Sequence, residues 1–276
     1  MVARAAEVDG IAPLSDQLAA DLADGVGSTV VAGRSDGDGL AGFAQVSPRG
    51  RAWTMQVVID PAARGPDQAV ARRLVAEAVD VVAAAGGGRV DWWVFGADDA
   101  ATELAVGAGF EVGRDLMQMR RSLPAEWSAT VPTRSFRSGD EEAWVAVNNR
   151  AFAGHPEQGG WTLDTLHQRM TQAWFEPEGF RLHEIDGRLA AFCWTKVHTD
   201  EEPVAGEIYV IGVDPAFQGR GLGRQLTLAG LDSIAARGID GALLYVDGAN
   251  HAAVGLYRAL GFAVVRTDRA FVLSVG

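Results

Sequence analysis

The sequence predicts an α/β fold of the α+β kind, built twice in one chain. Three observations predict it. Strand-like and helix-like stretches alternate along the chain. An Asp-Pro pair behind an apolar run occurs twice, at Asp60-Pro61 and Asp214-Pro215. A Gly-Phe pair behind an Ala/Leu-rich stretch also occurs twice, at Gly109-Phe110 and Gly261-Phe262. The 276 residues give room for two domains of roughly 100–150 residues each. One duplication is too few for a solenoid.

The elements follow in the same order in both halves. The strand "LAGFAQVS" at 40–47 matches "LAAFCWTKV" at 189–197. The apolar runs "MQVVI" and "EIYVIGV" lead into the two Asp-Pro turns. Next come "DQAVARRLVAEAVDVVAAAG" and "GRQLTLAGLDSIAARG", apolar at three- and four-residue spacing and closed by Gly86 and Gly238. The strands "RVDWWVFG" and "GALLYVDG" follow, then the helix that ends in Gly-Phe, then a closing strand. Prolines in "LPAEWSATVPTR", 123–134, interrupt the pattern and place the boundary at 125/126, giving domains 1–125 and 126–276. Ser138 and Glu141 have capping-box spacing at the start of the second domain's first helix. "AGHPEQGGW" at 153–161 reads as a surface loop.

Composition limits the function. A net charge of −12 makes general binding of nucleic acid or anionic membrane unfavourable, while leaving room for a local anion site made of backbone amides and a few arginines. No apolar run approaches the ~20 residues that span a bilayer, so a cytoplasmic protein is expected. Cys193 is the one cysteine. It has no disulfide partner within the chain and reads as a core residue of a strand.

The turn "DPAFQGRGLGR", 214–224, carries Gly219, Gly221 and Gly223 at the head of a helix. Glycines allow main-chain amides to approach an anion, and the helix adds free N–H groups and its positive dipole end. Neither the G-x-G-x-x-G nor the Walker pattern is met. What remains is Q-x-x-G-x-G, Gln218 to Gly223, behind "VIGVDP" and followed by "LYVDGANHAAVGLYRALGF". These segments resemble the GCN5-related N-acetyltransferase (GNAT) superfamily. The resemblance implies a mixed, mostly antiparallel central sheet flanked by helices in each domain, with acetyl-CoA as co-substrate and no metal. By that resemblance the amides of Ile211, Gly212 and Val213 hold the acetyl carbonyl and pantetheine. Gln218, Gly219, Arg220, Gly221, Leu222, Gly223 and Arg224 hold the pyrophosphate, and Asn250 and Ala253 touch the CoA arm. Glu207 matches the general-base position and Tyr257 the general-acid position.

In the first half the strand end Val57, Val58 and Ile59 corresponds to the cofactor strand, but Trp53 stands at the count of Glu207 and Ala105 at that of Tyr257. Its turn, "ARGPDQA", contains Pro66, which has no N–H, and Asp67, which carries a negative charge where a phosphate would sit. Chemistry is therefore expected in the second half, with the first degenerate.

The pairing of a degenerate and an intact half is similar to the tandem-domain mycothiol synthase family, as are "DGIAPLSDQ" at 9–17, "NRAFAGHPEQGGWT" at 149–162 and "FCWTKVH" at 192–198. That resemblance implies transfer of acetyl to the cysteinyl amine of cysteinyl-glucosaminyl-inositol; a monomer is expected. It also implies a substrate site of Asp16, Glu157, Lys196, Glu207 and Tyr245. His155 and His167 read as loop and helix-surface residues. An acetyltransferase for protein N-terminal amines, one for another small amine such as an aminoglycoside, and a nonenzymatic CoA-binding protein are the competing readings.

Overall fold

The computed structural model describes residues 1–25, 27–34, 39–50, 52–155, 158–199 and 203–276. The chain forms two compact units, the first of Met1–Met117, Asp247–Ala249 and Arg266–Gly276, the second of Gln118–Val246 and Asn250–Val265. The first contains α1 (Val2–Asp9), α2 (Asp16–Asp24), β1 (Thr29–Arg34), β2 (Leu40–Arg49), β3 (Ala52–Ile59), α3 (Ala69–Ala84), β4 (Gly88–Val94), α4 (Asp99–Gly107) and the start of β5 (Glu111–Ser122). The second contains the end of β5, then β6 (Arg134–Ser135), α5 (Glu141–Ala151), α6 (Leu163–Met170), β7 (Phe180–Ile185), β8 (Arg188–His198), β9 (Ala205–Val213), α7 (Leu222–Ala235), β10 (Gly241–Asp247), α8 (His251–Ala259) and the start of β11 (Ala263–Val275).

A single cut at 125/126 does not describe these units. The chain leaves the first within β5, and residues 266–275 of β11 return to pair antiparallel with β4, from Arg269↔Val94 to Val275↔Gly88. The last strand thus belongs to the unit that precedes it by some 150 residues, which a boundary read from prolines does not reveal.

Within each unit the sheet is mixed and mostly antiparallel. In the first the order is β1-β2-β3-β4-β11; β3–β4 is parallel, and β1–β2, β2–β3 and β4–β11 are antiparallel. In the second the order is β10-β9-β8-β7-β6, with β9–β10 parallel and the others antiparallel. Each parallel pair is short. Register runs only from Ala52↔Arg89 to Met55↔Trp92 in the first unit, and from Gly206↔Ala242 to Ile208↔Leu244 in the second. Beyond those points β3 and β9 continue without their parallel neighbours.

The core of the second unit shows how its faces are divided. Trp144 of α5 is fully buried and meets Trp161, Phe180, Phe192 and Trp194 edge-on, with ring centroids 5.1–5.9 Å apart, a favoured aromatic arrangement. Phe192 and Trp194 therefore mark the α5 face of β8. Cys193 and Ile208 face α7 instead. A Cβ on Gly230 of α7 would lie 2.5 Å from the Cys193 sulfur and 2.6 Å from Ile208 Cδ1, so glycine is needed for that approach. Burial pushes the Cys193 thiol up to about 12, which leaves it inert as a nucleophile.

The expected capping box at α5 does not form. Asp140 is the N-cap, and its carboxylate is engaged by Arg134 and by the Arg137 amide. Glu141 instead accepts from the Gly139 amide at 2.7 Å.

Candidate active site

The two Asp-Pro turns are built alike. Asp214 accepts from the Ala216 amide at 2.9 Å, and Asp60 from the Ala62 amide at 3.0 Å. Each aspartate also takes an arginine from the helix that opens its half: Arg150 of α5 reaches Asp214 at 2.5 Å, and Arg4 of α1 pairs with Asp60. Burial raises the Asp214 carboxyl, but the Arg150 hydrogen bonds and the Ala216 amide outweigh it and hold the group below its ordinary range. A carboxylate whose titration is depressed by folding stabilises the native state above its unfolded value, near 3.9, and loses that contribution as pH falls through the folded value. Arg150→Ala is therefore expected to cost about 1–2 kcal/mol near neutral pH, discounted because the arginine is half exposed. The deficit should shrink toward pH 3, which denaturant unfolding at both pH values measures.

After Asp214 the halves diverge. Gly219 and Gly221 have φ of 76° and 74°, in the left-handed region, and a Cβ on either would meet open space. Glycine is set here by backbone conformation, and the surroundings stay clear for a ligand. Gly221 is the N-cap of α7 and no side chain caps that end, so the first amides of the helix face outward unclaimed. Arg220 lies over the Phe217 ring at 5.4 Å and Arg224 over Trp127 at 4.9 Å, holding two cations at the rim. In the first unit α3 begins after Gln68, itself at φ 51°, and Asp67 Oδ1 accepts from the Ala69 amide at 3.3 Å. A carboxylate of the chain occupies the place an external anion would take.

On β9, Ile211, Gly212 and Val213 pair with Cys193, Phe192 and Ala191 of β8. In an antiparallel ladder alternate N–H groups point away from the partner, here toward the side on which β10 has separated. Asn250 and Ala253 serve the fold first: Asn250 Oδ1 caps α8 by accepting from the Ala253 amide at 3.1 Å. Ala253 has no free main-chain N–H to offer a cofactor.

A bulge sets the direction of Glu207. The β8–β9 register changes from Trp194↔Val210 to Thr195↔Ile208, leaving Tyr209 as the extra residue. Val210 belongs to the core on the α5 face, whereas Ile208 faces α7. Glu207 therefore shares the α5-side face with Lys196, its direct cross-strand partner, and with Tyr245, which lies two residues beyond Leu243, the β10 partner of Glu207. The β2–β3 register has no such shift. Trp53 packs into the first unit's core and donates from Nε1 to the Gly87 carbonyl at 3.2 Å. Counting from Asp-Pro pairs Trp53 with Glu207, but the residue of β3 on the corresponding face is Thr54, also without a carboxylate.

Glu207 is 7% exposed, and its Oε2 lies 2.7 Å from His198 Nε2. Lys196 places Nζ 5.4 Å from the centre of the Trp174 ring, and Trp174 meets Tyr209 edge-on at 5.0 Å. Burial, opposed by Arg169 and reinforced by Glu207, raises the Tyr209 hydroxyl. Tyr245 is 39% exposed, and its hydroxyl accepts from Gln118 Nε2 at 2.7 Å. Tyr257 stands on the opposite side. It is buried on α8, edge-on to Phe262 at 5.9 Å. Burial first, and then Cys193 on the α7 face, push its hydroxyl above the ordinary phenol range. The carboxylate and the phenol thus belong to opposite faces of the sheet. The pairing of β9 with β10 ends one residue past Glu207, at Ile208↔Leu244, so the opening begins beside the carboxylate.

Glu157 lies outside the described residues, as does the side chain of Asp16, whose backbone opens α2. His155 accepts from the Gln158 amide at 3.0 Å and braces its own loop. His198, Trp174 and Tyr209 did not emerge from the sequence as site residues. His198 is two residues beyond Lys196 on an alternating strand, and that spacing was the available signal.

The first unit contains a cavity of about 530 Å³, lined in part by Val57, Val58, Ile59, Gly65, Gln68 and Trp92. It lies where β3 outruns β4.

Residues 120–262 match the Acetyltransferase (GNAT) family model. The chain is 47% identical to a mycothiol acetyltransferase of Thermobispora bispora, over 94% of this chain and 88% of that one. It is 40% identical to a mycothiol acetyltransferase of Acidothermus cellulolyticus, over 98% and 88%. A GCN5-related N-acetyltransferase from Sphaerobacter thermophilus shares the fold, with a TM-score of 0.74 at 21% identity, over 99% of this chain and 90% of that one. A tandem GNAT protein of clavulanic acid biosynthesis does so at 0.62 and 17%, over 91% and 84%. The family match and these identities over nearly the whole chain show that it belongs to the mycothiol acetyltransferase family of GNAT acetyltransferases.

Proposed function

We propose that the second unit transfers acetyl from acetyl-CoA to the cysteinyl α-amine of cysteinyl-glucosaminyl-inositol. The observation that carries the reading is the pair of proton-handling groups on opposite faces of a sheet that opens beside one of them. Amide formation from a thioester needs a neutral amine and a route for two protons. Glu207 accepts the ammonium proton: an N–H bond breaks, an O–H bond forms, and the nitrogen lone pair attacks the acetyl carbonyl. Tyr257, kept protonated by burial, gives its proton to the CoA thiolate as the C–S bond breaks; the second proton on the attacking nitrogen passes through solvent to the Tyr257 phenolate, leaving neutral amide, thiol and phenol.

Acetyl-CoA, when bound, supplies the activated acyl group. The outward amides of Ile211–Val213 suit the thioester and pantetheine, and the Gln218–Arg224 turn suits the diphosphate. Lys196, Glu207 and Tyr245 share one face, which matches a cationic amine on a polyhydroxyl body, and Glu157 and Asp16 belong to the same proposed set. Val57, Val58 and Ile59 line a cavity of their own in the first unit and are assigned cofactor contact there without chemistry.

The reading is tested by incubating the protein with acetyl-CoA and the cysteinyl pseudodisaccharide and following products by mass spectrometry. The pseudodisaccharide is expected to gain one acetyl group on nitrogen, far faster than an N-terminal peptide or an aminoglycoside. Preferential acetylation of either competitor overturns the substrate assignment, and no acetyl transfer to any amine overturns the reaction.

A further inference from the structure

We propose that His198 is a positioning residue for acetyl transfer, holding Glu207 as an oriented anion and giving the reaction part of its sensitivity to acid. The proposal rests on Glu207 acting as the base.

The two side chains meet diagonally across neighbouring strands, His198 pairing in register with Ala205 and Glu207 with Lys196. Both are largely enclosed, with side chains 17% and 10% exposed, and they approach to 2.7 Å. A carboxylate can only accept, so the imidazole donates from Nε2. This matters because an enclosed carboxylate without a donor is driven toward its neutral form, and a carboxylic acid cannot take a proton from ammonium. A donated hydrogen bond favours the anion and fixes which oxygen is engaged. Oε2 faces His198, which leaves Oε1 for the amine.

Charge gives the same arrangement a second property. With neutral imidazole the pair carries one negative charge and attracts the incoming ammonium. With imidazolium the pair is neutral and that attraction is lost. Imidazole is the side chain whose ordinary charge change falls between pH 5 and 8. Among the described residues, the other titratable or charged groups on this side include Lys196 of β8, turned onto Trp174, Tyr209 of β9, Tyr245 of β10, and Arg169 of α6, which acts on Tyr209. Lys196 and Arg169 are cations, so a positive charge at His198 adds to what disfavours the substrate ammonium.

The test compares His198→Ala, His198→Gln, Glu207→Gln and the His198→Ala/Glu207→Gln double variant in steady-state assays at pH 6 and pH 8. Thermal unfolding is followed for each. His198→Ala is expected to lower kcat about tenfold or more with KM for acetyl-CoA within about twofold. His198→Gln, which keeps an N–H donor without the charge change, should recover kcat to within about threefold of wild type. It should also reduce the pH 8 to pH 6 ratio of kcat/KM by about threefold. The double variant should be no worse than Glu207→Gln, because the histidine acts through the carboxylate. Wild-type turnover in His198→Ala, or equal damage from alanine and glutamine with an unchanged pH ratio, overturns the proposal. Full activity in Glu207→Gln overturns the base assignment instead, which separates the two failures.

Discussion

Replacing Glu207 by glutamine lowers kcat near neutral pH by about two orders of magnitude or more, the range associated with one general base. Glutamine keeps the size of the side chain and an oxygen that can still accept from His198, so the cost comes from lost basicity. A free α-amine has its pKa near 7.7–8.0, so raising the pH delivers more substrate already neutral. The deficit of the variant should therefore narrow as pH rises from 7 to 9. KM for acetyl-CoA should stay close to wild type, because the proposed cofactor amides begin at Ile211, past the bulge at Tyr209. A pH–rate profile parallel to wild type would remove Glu207 from the proton transfer, and an unchanged kcat would remove it from the chemistry.

The sequence displayed local features well and pairing features poorly. The duplicated Asp-Pro turns, the glycines of 219–223 and the helices closed at Gly86 and Gly238 depend on short-range conformation, and Gly86 and Gly238 do adopt positive φ. Tandem mixed sheets followed from counting those elements twice. The bulge at Tyr209 was not legible, because it exists only as a mismatch between two strands. It is nevertheless what turns Glu207 away from α7, and it is why a count from Asp214 paired Glu207 with Trp53, which faces the other way. The His198–Glu207 contact was hidden for the same reason: nine residues separate them in sequence, and only the β8–β9 register makes them neighbours. Asn250 stands out only through the family pattern, and in the structure its side-chain oxygen caps the N-terminus of α8. The return of β11 to β4 left no local sign at all. It is a topological choice made by the apolar face of the final strand, where Phe271 is fully buried in the first unit's core.

Substituting Gly221 by aspartate should weaken CoA binding by about two orders of magnitude without unfolding the protein. The position has φ 74° and no atom within 4 Å of an added Cβ, so a side chain fits. The left-handed backbone costs a non-glycine residue about 1–2 kcal/mol, less for aspartate than for most. Part of that cost is returned, since aspartate is a favoured N-cap and α7 has no side-chain cap of its own. A carboxylate at that point also faces the diphosphate. Two like charges about 5 Å apart at an effective dielectric near 20 repel by about 3 kcal/mol, enough for the predicted loss and partly relieved by salt. Gly221→Ala separates the two effects: it carries the backbone cost without the charge and should retain most of the affinity. The first unit already carries the corresponding arrangement, with Asp67 on the Ala69 amide, so Asp67→Asn should leave turnover within about twofold. Calorimetric titration with CoA at two salt concentrations, alongside thermal unfolding, tests the two Gly221 variants, and a steady-state acetylation assay tests Asp67→Asn. Equal loss in the alanine and aspartate variants would make the backbone the cause, and wild-type affinity in Gly221→Asp would mean that the diphosphate does not sit at the start of α7.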